Sequence, residues 1–130
     1  MPESRSRRIH QTGLVLLFAA GTALAHHSDA MFDKTKQITV HGTVKDWEWT
    51  SPHVWLQVVD AAGKETGFEA VSPNTMVRGG WRWNSLQDGD IITVTANPRR
   101  DGQSGGFLIQ VIKADGTKLG GRPPGAPKPS

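Results

Sequence analysis

Few residues in this 130-residue chain carry chemistry beyond packing, and the histidines come first. Four of the five lie after position 25: His26, His27, His41 and His53. The pair His26-His27 directly follows Ala23-Leu24-Ala25, which closes an apolar run as an A-x-A cleavage site. Cutting after Ala25 turns His26 into an N-terminal residue. Its α-amine and imidazole can then chelate one metal ion, and a histidine from elsewhere completes a three-nitrogen set that suits Cu(II). The α-amine has a reference pKa of about 8, so it is available near neutral pH. His27 offers a competing mode, in which amine, deprotonated amide and second-position imidazole bind the metal. His53, after the Ser51-Pro52 turn, is the candidate for the third nitrogen. Glu69 is the candidate for an outer-shell or axial place. His41 alternates with Thr39 and Thr43, a pattern that also fits plain solvated sheet.

Other chemistry is narrower. There is no cysteine, which excludes disulfides, thiolate zinc sites and a thiol nucleophile. There is no tyrosine. Ser72, His53 and Glu69 match a hydrolytic triad by type alone, but no nucleophile elbow surrounds Ser72, which reads better as a helix cap. Five tryptophans are a large share of the aromatic content. Trp47, Trp49 and Trp55 form a second candidate surface, for a protein, glycan or small ligand.

The elements that must position these groups begin with a predicted export signal over residues 1–25. Arg5, Arg7 and Arg8 give a positive start, and Leu14-Val15-Leu16-Leu17-Phe18 centres an uncharged run too short to span a bilayer. Arg7-Arg8 also fits the twin-arginine route, but Ile9-His10-Gln11 lacks the apolar pair that route favours, so the general secretory route is expected. Localisation is then periplasmic or secreted. The charge changes with it. The formal net charge is +3. Losing three arginines and Glu3 leaves +1, and the tail holds two of the remaining bases, Arg122 and Lys128. The basic balance therefore argues for no nucleic-acid surface.

Residues 26–37 read as a polar arm, and 120–130 as a Pro/Gly-rich disordered tail. Between them, residues 38–119 are rich in Val, Ile, Thr and Trp and punctuated by turn residues. Strands are expected at 38–49, 53–60, 65–70, 91–97 and 107–114, with a short extended piece ending at Leu119. Ser72-Pro73 starts a short helix and Gly79-Gly80 stops it. Three strands, a helix, then two strands predict a mainly β fold: a small five-stranded OB-like barrel with one short helix between strands three and four.

Strand alternation sorts the candidates by face. Val54, Leu56 and Val58 suit the interior, as do Phe68 and Ala70. His53, Trp55 and Glu69 then share an outer surface if strands two and three pair. Trp47 and Trp49, two apart, are expected on one outer face with them.

Ala25-His26-His27-Ser28, Phe32-Asp33, Gly42-Thr43-Val44 and Trp49-Thr50-Ser51-Pro52-His53-Val54-Trp55 resemble a family of small exported bacterial proteins of unknown function. The likeness continues through Phe68-Glu69, Ser72-Pro73-Asn74, Gly80-Trp81, Gly89-Asp90 and Asp115-Gly116. It implies that the His-His start, the Pro-His and the Phe-Glu belong to one pattern. Ser51, where the family more often has Asn, and the glycine-rich loop 102–106 depart from it. The expectation is an exported, monomeric, non-enzymatic metal-binding protein, with copper as the cofactor and His26, His27, His53 and Glu69 as ligand candidates. Another periplasmic protein is a possible partner. The alternative is a binding module that uses Trp47, Trp49 and Trp55.

Overall fold

The computed structural model describes residues 30–121. The expected signal, His26 and His27, and the tail from 122 onward lie outside the described residues. The elements run β1 (Ile38–Glu48), β2 (Trp55–Val59), β3 (Glu65–Glu69), α1 (Pro73–Arg78), β4 (Ile91–Pro98), β5 (Gly106–Lys113) and β6 (Lys118–Gly120). Neighbouring strands pair antiparallel in the order β3-β2-β1-β4-β5-β6. A parallel contact between β3 and β5, Phe68 opposite Gly106 and Glu69 opposite Phe107, closes the sheet on itself. Five strands thus form an OB-like barrel, with a short helix between strands three and four. Closure removes the free edges that so small a sheet would otherwise expose. The short last piece pairs with β5 outside the ring.

The interior follows the period-2 alternation. Val54, Leu56, Val58, Phe68, Val94 and Val111 are fully buried. Met76 of α1, Trp81 and Leu86 belong to the same core. The helix has its expected ends: Ser72 Oγ accepts from the Thr75 N–H, Pro73 follows, and the Gly79 N–H donates to the Met76 carbonyl. Among the described residues no helix is long and apolar enough to cross a membrane.

β1 is the longest strand because it serves two partners. Residues 38–43 pair with β4, and 43–48 pair with β2. At the handover, a Cβ on Gly42 would lie 2.4 Å from the Val59 carbonyl oxygen and 2.6 Å from Val58 Cγ1. Only glycine lets the strands approach this closely at the barrel's bend.

Just beyond it the β1–β2 register slips between Val44 and Asp46. This bulge corrects the expected grouping of tryptophans. Ile38, Val40 and Val44 point inward before it, so strict alternation sends Trp47 and Trp49 outward. The extra residue reverses the phase, and Trp47 stands opposite the buried Leu56. Trp47 and Trp49 accordingly pack, partly buried, against the core. Trp47 stacks on Trp81 at 5.7 Å and 29° and meets Trp49 at 5.7 Å and 51°. Its Nε1–H donates to the Trp83 carbonyl at 2.9 Å. Trp55 stays outside on the opposite face, and Trp83 is the most exposed large apolar side chain among the described residues.

The described part of the arm is docked. Phe32 bridges to Arg99, the Asp33 N–H donates to the Pro98 carbonyl, and the Arg100 N–H to the Met31 carbonyl, both at 2.8 Å. Asn97 Nδ2 donates to the Lys36 carbonyl at 2.7 Å. The Phe32 ring is buried against Phe107, with centroids 5.6 Å apart.

Candidate functional site

Three of the predicted site residues come together on the outer face of β2 and β3. Trp55 stands directly across the ladder from Glu69. His53 precedes Trp55 by two residues, on an extension of the ladder. There the Val54 N–H donates to the Val71 carbonyl, and the Ala70 N–H to the Val54 carbonyl. The Thr50 hydroxyl donates to the His53 carbonyl at 3.1 Å and ties the preceding turn. His53 Nδ1 lies 2.5 Å from Glu69 Oε1. The Glu69 side chain is 8% exposed and that of His53 30%.

A buried carboxylate needs a polar partner, and the imidazole nitrogen in close N···O contact is the one beside it. A carboxylate can only accept, so a proton shared across this contact sits on Nδ1. In the neutral ring, Nε2 is then left with its lone pair. This is the arrangement by which a carboxylate fixes the tautomer and orientation of a metal-binding histidine.

Beside the pair, Met31, Phe32, Trp55, Glu69, Arg99 and Ser104 line a cleft of about 90 Å³. The arm forms one wall and the β2–β3 face the other. Arg99 brings positive charge towards Glu69. Its Nε and Nη2 donate to the two carboxylate oxygens of Asp101 at 3.1 and 2.7 Å. That hydrogen bonding raises the proton affinity of Arg99 and is the largest influence holding the Asp101 carboxyl below its ordinary range.

The other candidates lie elsewhere. His41 Nδ1 is 2.8 Å from the Thr93 hydroxyl on the β1–β4 ladder, as expected for a solvated sheet face. Ser72 is engaged with Thr75 as a helix cap. His26 and His27 lie outside the described residues, though His27 precedes Met31 by four positions, a span of at most about 14 Å. Among the described residues no three His, Cys, Asp or Glu side chains gather to hold a metal. The described residues offer one oriented imidazole, and a metal would need further donors. Sequence reasoning missed Met31 and Arg99. Both reach the cleft through the pairing of Phe32 with Arg99, residues 67 positions apart, which no local pattern announces.

A closed β-barrel with a carboxylate-held histidine on its outer wall defines the class: a small OB-like barrel protein with a shallow surface cleft. No curated protein matches the chain. The chain belongs to the family described as "Family of unknown function (DUF6152)", matched over residues 15–110.

Proposed function

We propose that this protein is exported to the periplasm and binds copper there for carriage or delivery. Export rests on the charged start, short apolar run and Ala23-Leu24-Ala25 of the sequence. In this reading His26, freed by cleavage after Ala25, gives its α-amine and imidazole to Cu(II). His53 Nε2 gives the third nitrogen. Glu69 acts through His53, holding the ring rather than binding the metal, and His27 provides the competing or axial nitrogen.

The observation that carries the reading is the Glu69–His53 pair, set beside the cleft that the arm lines. A histidine in a turn needs no buried carboxylate for its own sake. A carboxylate is expensive to bury, and orienting a ligand accounts for it. The docked arm brings position 31 to the same cleft, within a few residues of His26. The alternative platform of Trp47, Trp49 and Trp55 has less support, since the first two pack against the barrel core.

The test is Cu(II) titration with electron paramagnetic resonance on protein whose first residue is His26. One equivalent bound with nitrogen hyperfine structure is expected. Binding that survives both one extra residue before His26 and His53→Ala would overturn the reading.

A further inference from the structure

We infer that the open end of the barrel binds a small carboxylate with an apolar body. The site uses neither His53 nor the N-terminus, so it stands apart from the copper reading. β1 and β3 run in the same direction, since each pairs antiparallel with β2. Their first residues therefore share one end of the barrel, and α1, which follows the last residues of β3, closes the other. Met76 of α1 belongs to the core there, with Trp81. At the first end the inward side chains Ile38 and Val40 stay only partly buried. Their ladder partners Ala96 and Val94 are fully buried. With Thr66 and Pro98 they line a mouth of about 300 Å³. Barrel mouths are among the places where small-ligand pockets form.

The glycine-rich loop forms one wall of this mouth, through Gly102, Gln103, Ser104 and Gly105. A Cβ on Gly105, whose φ is +113°, would lie 2.7 Å from the Gly67 carbonyl oxygen, so glycine is what lets the loop close on β3. Asp101 staples the loop, accepting from Arg99 Nη2 at 2.7 Å and from the Gln103 N–H at 3.0 Å. The wall is thus built before a ligand arrives, which lowers the cost of binding.

The lining decides the ligand. Ile38, Val40 and Pro98 suit an apolar body. The charged side chains that line the mouth are Lys64 and Arg99, both positive. Asp101 balances Arg99, which leaves the Lys64 ammonium as the charge on offer to a ligand. Asp60 flanks Lys64, but its Oδ1 is engaged by the Ala62 and Lys64 N–H groups. The Thr66 and Ser104 hydroxyls stand 3.4 Å apart in the same lining. Only one of two facing hydroxyls donates into their contact, so the other has an O–H for an outside acceptor. One ammonium and one hydroxyl donor match the single charge and the acceptor oxygens of a carboxylate.

The experiment uses the protein that begins at His26, with octanoate as the probe. In calorimetry one equivalent should bind, and in NMR the methyl signals of Ile38, Val40 and Thr66 should shift. Octanol, with the same chain and no charge, should bind about tenfold more weakly. Lys64→Gln, at an exposed position, should weaken octanoate by a similar factor, leave octanol as it was and melt with the wild type. Octanoate that leaves these methyls unmoved overturns the inference. So does octanoate that instead shifts Val71, Met76 and Ile109 beside α1. Equal affinity for octanoate and octanol, or wild-type octanoate affinity in Lys64→Gln, overturns it as well. Lys64→Gln should keep the Cu(II) spectrum and His53→Ala should keep octanoate binding, so this inference and the copper reading fail separately.

Discussion

Glu69 is among the few polar side chains that the barrel withdraws from water, with Thr66 and Asn97. Thr66 and Asn97 are neutral and satisfied, the one by the Ser104 hydroxyl and the other by the Lys36 carbonyl. Glu69 is ionisable, and its close polar contact is the His53 imidazole. Removing that partner strands the carboxylate. His53→Ala should therefore cost about 1–3 kcal/mol in denaturant unfolding, more than loss of a half-exposed turn histidine would suggest. Glu69→Gln should behave differently. It keeps the shape and an acceptor oxygen but no longer dictates which ring nitrogen holds the proton. Its fold should melt close to wild type, while copper affinity falls by roughly tenfold to a hundredfold. A Glu69→Gln protein that bound copper unchanged would reduce the carboxylate to a structural role.

At the scale of elements, the local rules wrote much of the barrel plainly. Val54-x-Leu56-x-Val58 and Phe68-x-Ala70 showed their inner faces by alternation, and Ser72-Pro73 and Gly79-Gly80 bounded the helix. These signals are local, so one sequence suffices to read them. The bulge after Val44 was not legible in the same way. It arises where β1 leaves β4 and takes up β2, a constraint set by strands far away in the chain. Strict alternation therefore assigned Trp47 and Trp49 to the wrong side. Gly42 marks the same handover and makes it testable. Gly42→Ala places a methyl within 3 Å of the Val59 carbonyl and Val58 Cγ1, neither of which can retreat from a barrel wall. The expected cost is about 1–3 kcal/mol, seen as a lower urea midpoint with an unchanged slope. A neutral substitution would mean that the strands can part at this bend without loss.

For the molecule as a whole, the formal charge of +3 is a poor guide, since residues 1–25 and 122–130 hold five of the fifteen basic residues. The charges that matter to the folded body are local and sit in its turns. Asp33 accepts from the Thr35 N–H at 3.1 Å and from the Thr35 hydroxyl at 2.6 Å. Asp101 accepts from Arg99 and from the Gln103 N–H, and Asp115 accepts from the Thr117 N–H at 2.8 Å. These bonds hold all three carboxyls below the ordinary aspartate range, the side-chain bonds from Thr35 and Arg99 leading for the first two and the Thr117 N–H for the third. A carboxyl that is more acidic folded than unfolded stabilises the fold fully above the ordinary value of about 3.9, and that contribution disappears as pH falls through the lower folded value. Stability should therefore decline on the acid side of about pH 4. The triple variant Asp33→Asn, Asp101→Asn, Asp115→Asn, whose amide oxygens can still accept these bonds, should decline less steeply. Two of the three turns flank the Met31–Arg99 cleft, so the loss should begin there. In hydrogen exchange at falling pH, the amides of Asp33 and Arg100, which tie the arm to the barrel, should lose protection before those of Leu56 or Val94 in the wall. Simultaneous loss at all four would show that the arm and the barrel open as one unit.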